Sequence, residues 1–395
     1  MTTIDFERFH TVELPAALAK RDGGAVASGY VGAGRSLTLR VPDGTAFTYT
    51  AVDGDVLIQP GADAPVVVEV DADAFADLAE ERWSIYGLLY PGRLRIVQGS
   101  LPELERWEPA LQNLWFDRPI YDDVAARSLR DRYGSPLDVT RSFTLADDDA
   151  DIAHFLDVTG FVVLRGVFGR DEVSGFDAEV RRLVTLATPG DRKSWWAKTA
   201  DNRDVCCRVT YCGQRSPALL ALADDPRLTR AASWAGTPLR AATDRLDGIS
   251  VVLKHPEVVS GLSDLPWHRD CGMGGHPVLC PALNIGIQLD RADADNGQLV
   301  FLAGSHHHTN SLTDADRHAE WPVVHVEADP GDVTVHYGHA QHAAPPPASP
   351  TADRRALYVG FVPPAIFDVI GPGQGYNDVV YEGADGVQPP SALIP

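Results

Sequence analysis

Apolar and polar positions alternate with a period of two through much of the first hundred residues. Ser36-Leu37-Thr38-Leu39-Arg40-Val41, Ala46-Phe47-Thr48-Tyr49-Thr50, Val56-Leu57-Ile58 and Val66-Val67-Val68-Glu69-Val70 read as strands. Asp43-Gly44 and Asp53-Gly54 supply hairpin turns between them. The order predicts an antiparallel meander. Over residues 71–83 the period becomes helical, with Asp71 or Asp73 placed to cap it. A strand at 93–97 follows the Pro91-Gly92 turn, and a helix runs from Leu101 or Pro102 to Leu114. This is an α+β unit, bounded at residues 1–118.

Residues 119–146, rich in Asp and Arg and holding Gly134 and Pro136, read as a linker. Asp147-Asp148-Asp149 reads as a helix cap with a solvated acidic start rather than a metal site. A helix over 152–158 leads into a buried strand at 160–166. A second helix over 171–187 carries Val173, Phe176, Val180 and Leu183 on one face. Short strands then follow at 248–254, 283–289, 298–302, 323–327, 332–337 and 356–361, without helices between them. Such a run predicts a jelly-roll barrel of the cupin kind. The expected fold class is α+β: a double-stranded β-helix with flanking helices over 147–395, plus the smaller N-terminal α+β domain. Residues 371–395, rich in Gly and Pro, read as loop.

The net charge of -21 changes the list of partners. It argues against nucleic acid and anionic membranes, both of which need a basic surface. Residues 1–14 carry acids and no apolar signal core, and no stretch reaches the length of a membrane span. Five cysteines, an odd number, fit free thiols in a reducing cytoplasm. Cys206, Cys207 and Cys212 lack the usual Cys-x-x-Cys spacing of a zinc site. Cys271 reads as a core thiol, with a place near a metal as the other option. Nothing here fixes the oligomeric state.

The chemistry concentrates in Trp267-His268-Arg269-Asp270, a second histidine-rich strand at 332–342, and Arg354-Arg355. A His-x-Asp pair with one distant His is the ligand set of a non-haem iron centre, with open positions left for dioxygen and a co-substrate. Residues two apart in a strand face the same side, so His268 and Asp270 are expected to share a metal while Arg269 points away. An arginine soon after the last His suits the far carboxylate of a keto acid. Only one of Arg354 and Arg355 can face inward, and Arg354 is preferred. Asn284, Gly286 and Gln288 share one strand face; a buried amide there reaches either the keto-acid co-substrate, the substrate or a barrel partner. Lys254 either neutralises an anionic ligand or snorkels to the surface. Trp267 and His276 line a substrate pocket or simply pack. His306-His307-His308 reads as a solvated loop.

Residues 145–362 resemble the phytanoyl-CoA dioxygenase family of Fe(II)- and 2-oxoglutarate-dependent oxygenases. The resemblance rests on Thr159-Gly160-Phe161-Val162-Val163-Leu164, Leu253-Lys254-His255-Pro256, Trp267-His268-Arg269-Asp270, Asp295-Asn296-Gly297-Gln298-Leu299, Ala303-Gly304-Ser305-His306, Gly331-Asp332, His336, His342 and Arg354. It implies iron ligation by His268, Asp270 and His342, with His339 as the rival distal ligand and His336 as a non-ligand. It implies a 2-oxoglutarate clamp at Arg354, and dioxygen as the oxidant. The expected reaction hydroxylates an unactivated C–H bond of a small or apolar organic substrate, releasing succinate and carbon dioxide. A retained Asp270 carboxylate favours hydroxylation, desaturation or ring closure over halogenation. Two departures stand out: Ala344 replaces a frequent small hydroxyl residue, and the proline-rich loop 343–350 shifts the arginine by about one residue.

Residues 20–115 resemble a sterol carrier protein type 2 domain, on the two Asp-Gly hairpins, the acid-capped helix and the segment from Tyr90-Pro91-Gly92 to Gly99. That implies either lipid binding in an apolar tunnel or a scaffold that binds nothing. Two rival readings follow: a lipid carrier with a non-catalytic barrel, and a metal-dependent cupin enzyme that does not use 2-oxoglutarate.

Overall fold

The alternating segments of the first unit form strands β1 (Ser36–Arg40), β2 (Ala46–Val52), β3 (Asp55–Pro60), β4 (Val66–Val70) and β5 (Leu94–Gln98). These elements belong to a computed structural model that describes residues 4–21, 23–256, 258–261, 265–273, 277–351 and 353–373. Gly44 and Gly54 take the positive φ values, 94° and 75°, that the tight turns require. The sheet order is β3-β2-β1-β4-β5, with β1 antiparallel to β2 but parallel to β4. The expected meander is therefore corrected to a mixed sheet. The physical reason lies in β4, whose Val-Val-Val-Glu-Val is buried at four of its five positions. Such an apolar run suits a strand flanked on both sides better than an edge.

Asp71 caps helix Ala72–Ala79 by accepting from the Ala74 N–H at 2.7 Å. Ser100 and Glu103 form a reciprocal cap on helix Leu101–Phe116. Helices Gly23–Val31 and Ile85–Leu89 carry no clear apolar period and add to the expected elements. The interior is filled by interlocking rings: His10 stacks on Phe47 at 4.4 Å, and Phe75 and Trp115 pack edge-on at 5.9 Å.

The second unit follows the expected alternation more closely. Its strands are β6 (Phe161–Leu164), β7 (Ser194–Thr199), β8 (Asp204–Val209), β9 (Arg240–Ala241), β10 (Ile249–Lys254), β11 (Val258–Gly261), β12 (Leu265–His268), β13 (Leu283–Gln288), β14 (Val300–Leu302), β15 (Val323–His325), β16 (Val333–Tyr337), β17 (His342–Ala344) and β18 (Arg354–Val362). A large antiparallel sheet runs β11-β7-β8-β10-β18-β13-β16-β6, with β9 paired to β18. A smaller one runs β12-β17-β14-β15. Helix Asp149–Thr159, capped by Asp148, and helix Arg170–Leu186 flank the large sheet. Residues 119–146 hold helix Asp123–Arg127 and bury Tyr121 and Phe143.

The two units share a core. Met273 and Leu312 of the second belong to the apolar cluster of the first, and Trp267 packs against it. Backbone bonds fasten the contact: Ser84 N–H to Gly272 O at 2.9 Å, and Val278 N–H to Glu81 O at 2.8 Å. Among the described residues no helix is long and apolar enough to cross a membrane.

Candidate metal centre

Strand β12 ends at His268 and pairs with β17, where His268 lies opposite His342. The two imidazoles approach to 4.2 Å between ring centroids. Asp270 sits past the strand end, so period-two alternation does not bring it beside His268, and that expectation is corrected. The chain bends after the strand because the Asp270 N–H turns to Gly338 O at 2.7 Å. The carboxylate then returns to the histidines. Asp270 Oδ1 lies 3.5 Å from His268 Nε2, and Oδ2 lies 3.6 Å from His342 Nε2. Asn284 fixes it by donating from Nδ2 to Oδ2 at 2.6 Å.

The tautomers follow from the remaining bonds. His268 Nδ1 lies 2.7 Å from Pro266 O, and His342 Nδ1 lies 2.9 Å from Ala340 O. A carbonyl only accepts, so each Nδ1 carries the hydrogen and each Nε2 turns a lone pair toward Asp270. Burial pushes the His342 imidazole down to about 3, which keeps it neutral at physiological pH. Asn284, donating to Oδ2 at 2.6 Å, favours the ionised form of the Asp270 carboxyl. Two neutral imidazoles and one carboxylate, their donor atoms all within 4.8 Å of one another, make a facial donor set that fits a divalent ion with open positions.

These groups line a cleft that extends to Asn284, Arg354 and Tyr358. Arg354 is 2% exposed, and Nη1 reaches Gln288 Oε1 at 3.4 Å while Nε has no hydrogen-bond partner. A buried guanidinium with an unused donor beside the three donors suits an anionic co-substrate. Arg355 faces the other way and pairs with Asp290 at 2.8 Å and with Asp177. Tyr358 went unnoticed in the sequence, although it has the parity of Arg354 on the same strand and so shares its face.

Lys254 is fully buried, and its Nζ donates to Ala344 O. The snorkelling option is thereby corrected: its strand neighbours, including Arg354 in register opposite, enclose it. Trp267 donates from Nε1 to Asp316 at 2.8 Å and lines a second cleft described below. His276 lies outside the described residues. His306, expected in a solvated loop, is buried and stacked on Tyr337 at 5.1 Å. Its ring tucks against Gly160, where a Cβ would lie 2.6 Å from Nδ1. His339 stands near His306 and Tyr337, outside the donor group. Arg269 does turn away from His268 and Asp270, donating to His339 O at 3.1 Å and to Asn310 Oδ1 at 2.6 Å. All five cysteines are buried thiols, and the Cys271 and Cys280 sulfurs lie 3.4 Å apart.

A model of the phytanoyl-CoA dioxygenase (PhyH) family matches residues 156–356, just over half of the chain. The chain belongs to the phytanoyl-CoA dioxygenase family. It is a non-haem iron, 2-oxoglutarate-dependent oxygenase, with Fe(II), 2-oxoglutarate and dioxygen as its cofactors and a small molecule as its substrate. No curated protein matches it. Among solved structures, AviO1 from Streptomyces viridochromogenes Tue57 is 27% identical over 55% of this chain and 96% of its own, with a TM-score of 0.46. EctD from S. alaskensis, solved with bound Fe, is 21% identical over 59% and 83%, with a TM-score of 0.45. HygX from Streptomyces hygroscopicus, solved with nickel and 2-oxoglutarate, is 22% identical over 53% and 85%, with a TM-score of 0.38.

Proposed function

We propose that this oxygenase hydroxylates an unactivated C–H bond of a small or apolar organic molecule, releasing succinate and carbon dioxide. In this reading the second unit is a jelly roll holding Fe(II) through His268, Asp270 and His342, with Arg354 gripping the far carboxylate of 2-oxoglutarate. The observation that carries it is the locked tautomer of both histidines, Nδ1 bound to backbone and Nε2 aimed at Asp270, beside a buried guanidinium. Bound there, iron, 2-oxoglutarate and dioxygen supply the oxidising power for C–H cleavage.

The chain's own residues set the geometry. Asn284 holds Asp270 in place, and Gln288 orients Arg354. Lys254 adds positive charge behind the co-substrate, while Trp267 contributes to the substrate pocket. Asp270 keeps a carboxylate in the ligand set, which favours hydroxylation, desaturation or ring closure over halogenation. The sterol-carrier-like first unit acts as a scaffold rather than a lipid tunnel, a reading supported by the rings that fill its interior. A cytoplasmic location is part of the same proposal.

Anaerobic titration with Fe(II) and then 2-oxoglutarate tests the site through the weak visible band of the iron chelate. The band is expected in the wild type, weakened in Arg354→Ala and absent in His268→Ala. Iron binding without a band would favour a cupin enzyme independent of 2-oxoglutarate. Absence of iron binding would overturn the assignment of His268, Asp270 and His342 as the ligands.

A further inference from the structure

A second cleft runs along the contact between the two units. One wall is the segment that carries His268 and Asp270. The other belongs to the first unit and includes Tyr86, Glu108 and Gln112. A recess of about 300 Å³ adjoins it, sharing Glu108 and Gln112 and bounded by Trp115 and Phe116. Trp267, Met273, Leu279 and Leu312 make much of the lining apolar.

Two polar groups of this cleft lack strong hydrogen-bond partners. Tyr86 is 9% exposed, and its hydroxyl makes no well-formed hydrogen bond although Glu105 and Glu108 stand near it. Glu108 Oε1 is reached only at 3.4 Å, by the Ile85 N–H. Burial raises the Glu108 carboxyl to about 7, with Arg269 opposing the rise. Arg269 itself spends its donors on His339, His308 and Asn310. A half-buried carboxyl and a buried hydroxyl facing an apolar cleft are costly unless a ligand completes them.

We infer that this cleft takes a small, mostly apolar molecule bearing a hydrogen-bond donor, a hydroxyl or an ammonium, which Glu108 and Tyr86 receive. The wall formed by His268 and Asp270 puts that molecule beside the metal centre, so the first unit sets substrate choice with residues outside the 156–356 family match. The catalytic consequence rests on the proposed iron reading; the binding does not.

The test uses the full chain and three probes below their micelle concentrations: n-decylamine, n-decanol and n-decanoate, followed by calorimetry and by tryptophan fluorescence. The amine or the alcohol is expected to bind about tenfold or more tightly than decanoate. The winner of those two identifies the donor. Glu108→Gln should remove the preference for the amine, and Tyr86→Phe should weaken both donors. The iron–2-oxoglutarate band should persist in both variants. Arg354→Ala, outside this cleft, should weaken the band and keep the probe. Equal affinity for all three probes, or tighter binding of decanoate, would overturn the inference, as would a preference for the amine that survives in folded Glu108→Gln. If that variant fails to fold, Tyr86→Phe decides by the same criterion. Probe binding in a wild type that shows no band would instead overturn the iron reading alone.

Discussion

Replace Gly87 by alanine. Gly87 lies inside helix Ile85–Leu89, where alanine is the better residue by about 1 kcal/mol on propensity alone. The surroundings reverse the sign. A Cβ on Gly87 would stand 2.2 Å from Gly272 O and 3.1 Å from the Trp83 ring, against 3.4 Å for ordinary contact. The backbone must therefore open by about 1.2 Å, the difference between those two distances. Overpacking of this kind costs about 1–3 kcal/mol, and loss of the Ser84–Gly272 bond costs about 1 more. Set against the propensity gain, the net destabilisation is about 1–3 kcal/mol. Gly272 lies two residues beyond Asp270, while metal ligands tolerate only about 0.2 Å of error. Iron affinity should therefore fall about tenfold or more. Urea denaturation and Fe(II) titration measure the two effects. Gly29→Ala, in helix Gly23–Val31 with nothing within 4 Å of the new Cβ, is the control and should be neutral or stabilising by up to about 1 kcal/mol. A Gly87→Ala protein as stable as that control, with unchanged iron affinity, would refute the reasoning.

Other perturbations separate the roles of neighbouring groups. Asn284→Leu removes the bond that orients Asp270 and should weaken Fe(II) binding by about 10–100-fold in a direct titration. Arg354→Ala should raise the KM for 2-oxoglutarate while iron still binds; Arg355→Ala should leave that KM alone and lower only the denaturation midpoint, through its lost Asp290 and Asp177 pairs. His10, lowered by burial from 6.5 to about 4, must gain a proton when the chain unfolds in acid. The unfolded state binds more protons between those two values, so stability is lost as pH falls from 6.5 to 4, by about 3 kcal/mol at pH 4. In His10→Phe, a denaturation series over that range should show a slope shallower by about that amount; an unchanged slope would rule out this role for His10.

What the sequence made legible depended on the range of the interaction. Strand alternation is local, so β1, β2 and β4 were readable within two residues of their ends, and parity alone separates Arg354 from Arg355. The parallel pairing of β1 with β4 is not local, and no hairpin turn announces it. Asp270 was readable as a site residue but not in its backbone setting, because the bend after His268 depends on Gly338, far along the chain. Gly23–Val31 escaped notice because its glycines mask any helical period. Trp267 was singled out for its neighbour His268; its packing on the first unit depends on contacts that no motif encodes.

Because Met273 and Leu312 complete the apolar cluster of the first unit, that cluster is unfinished when its own strands and helices have been made. At roughly 5–20 residues per second, the ribosome needs about 8–30 s to pass from Phe116 to Met273. Through that interval the nascent first unit presents an open apolar face, a natural point for a chaperone to hold the chain. The segment bearing His268 and Asp270 then closes the face as it emerges, so the late seal of one core sets two of the three metal donors before the third, His342, has been made.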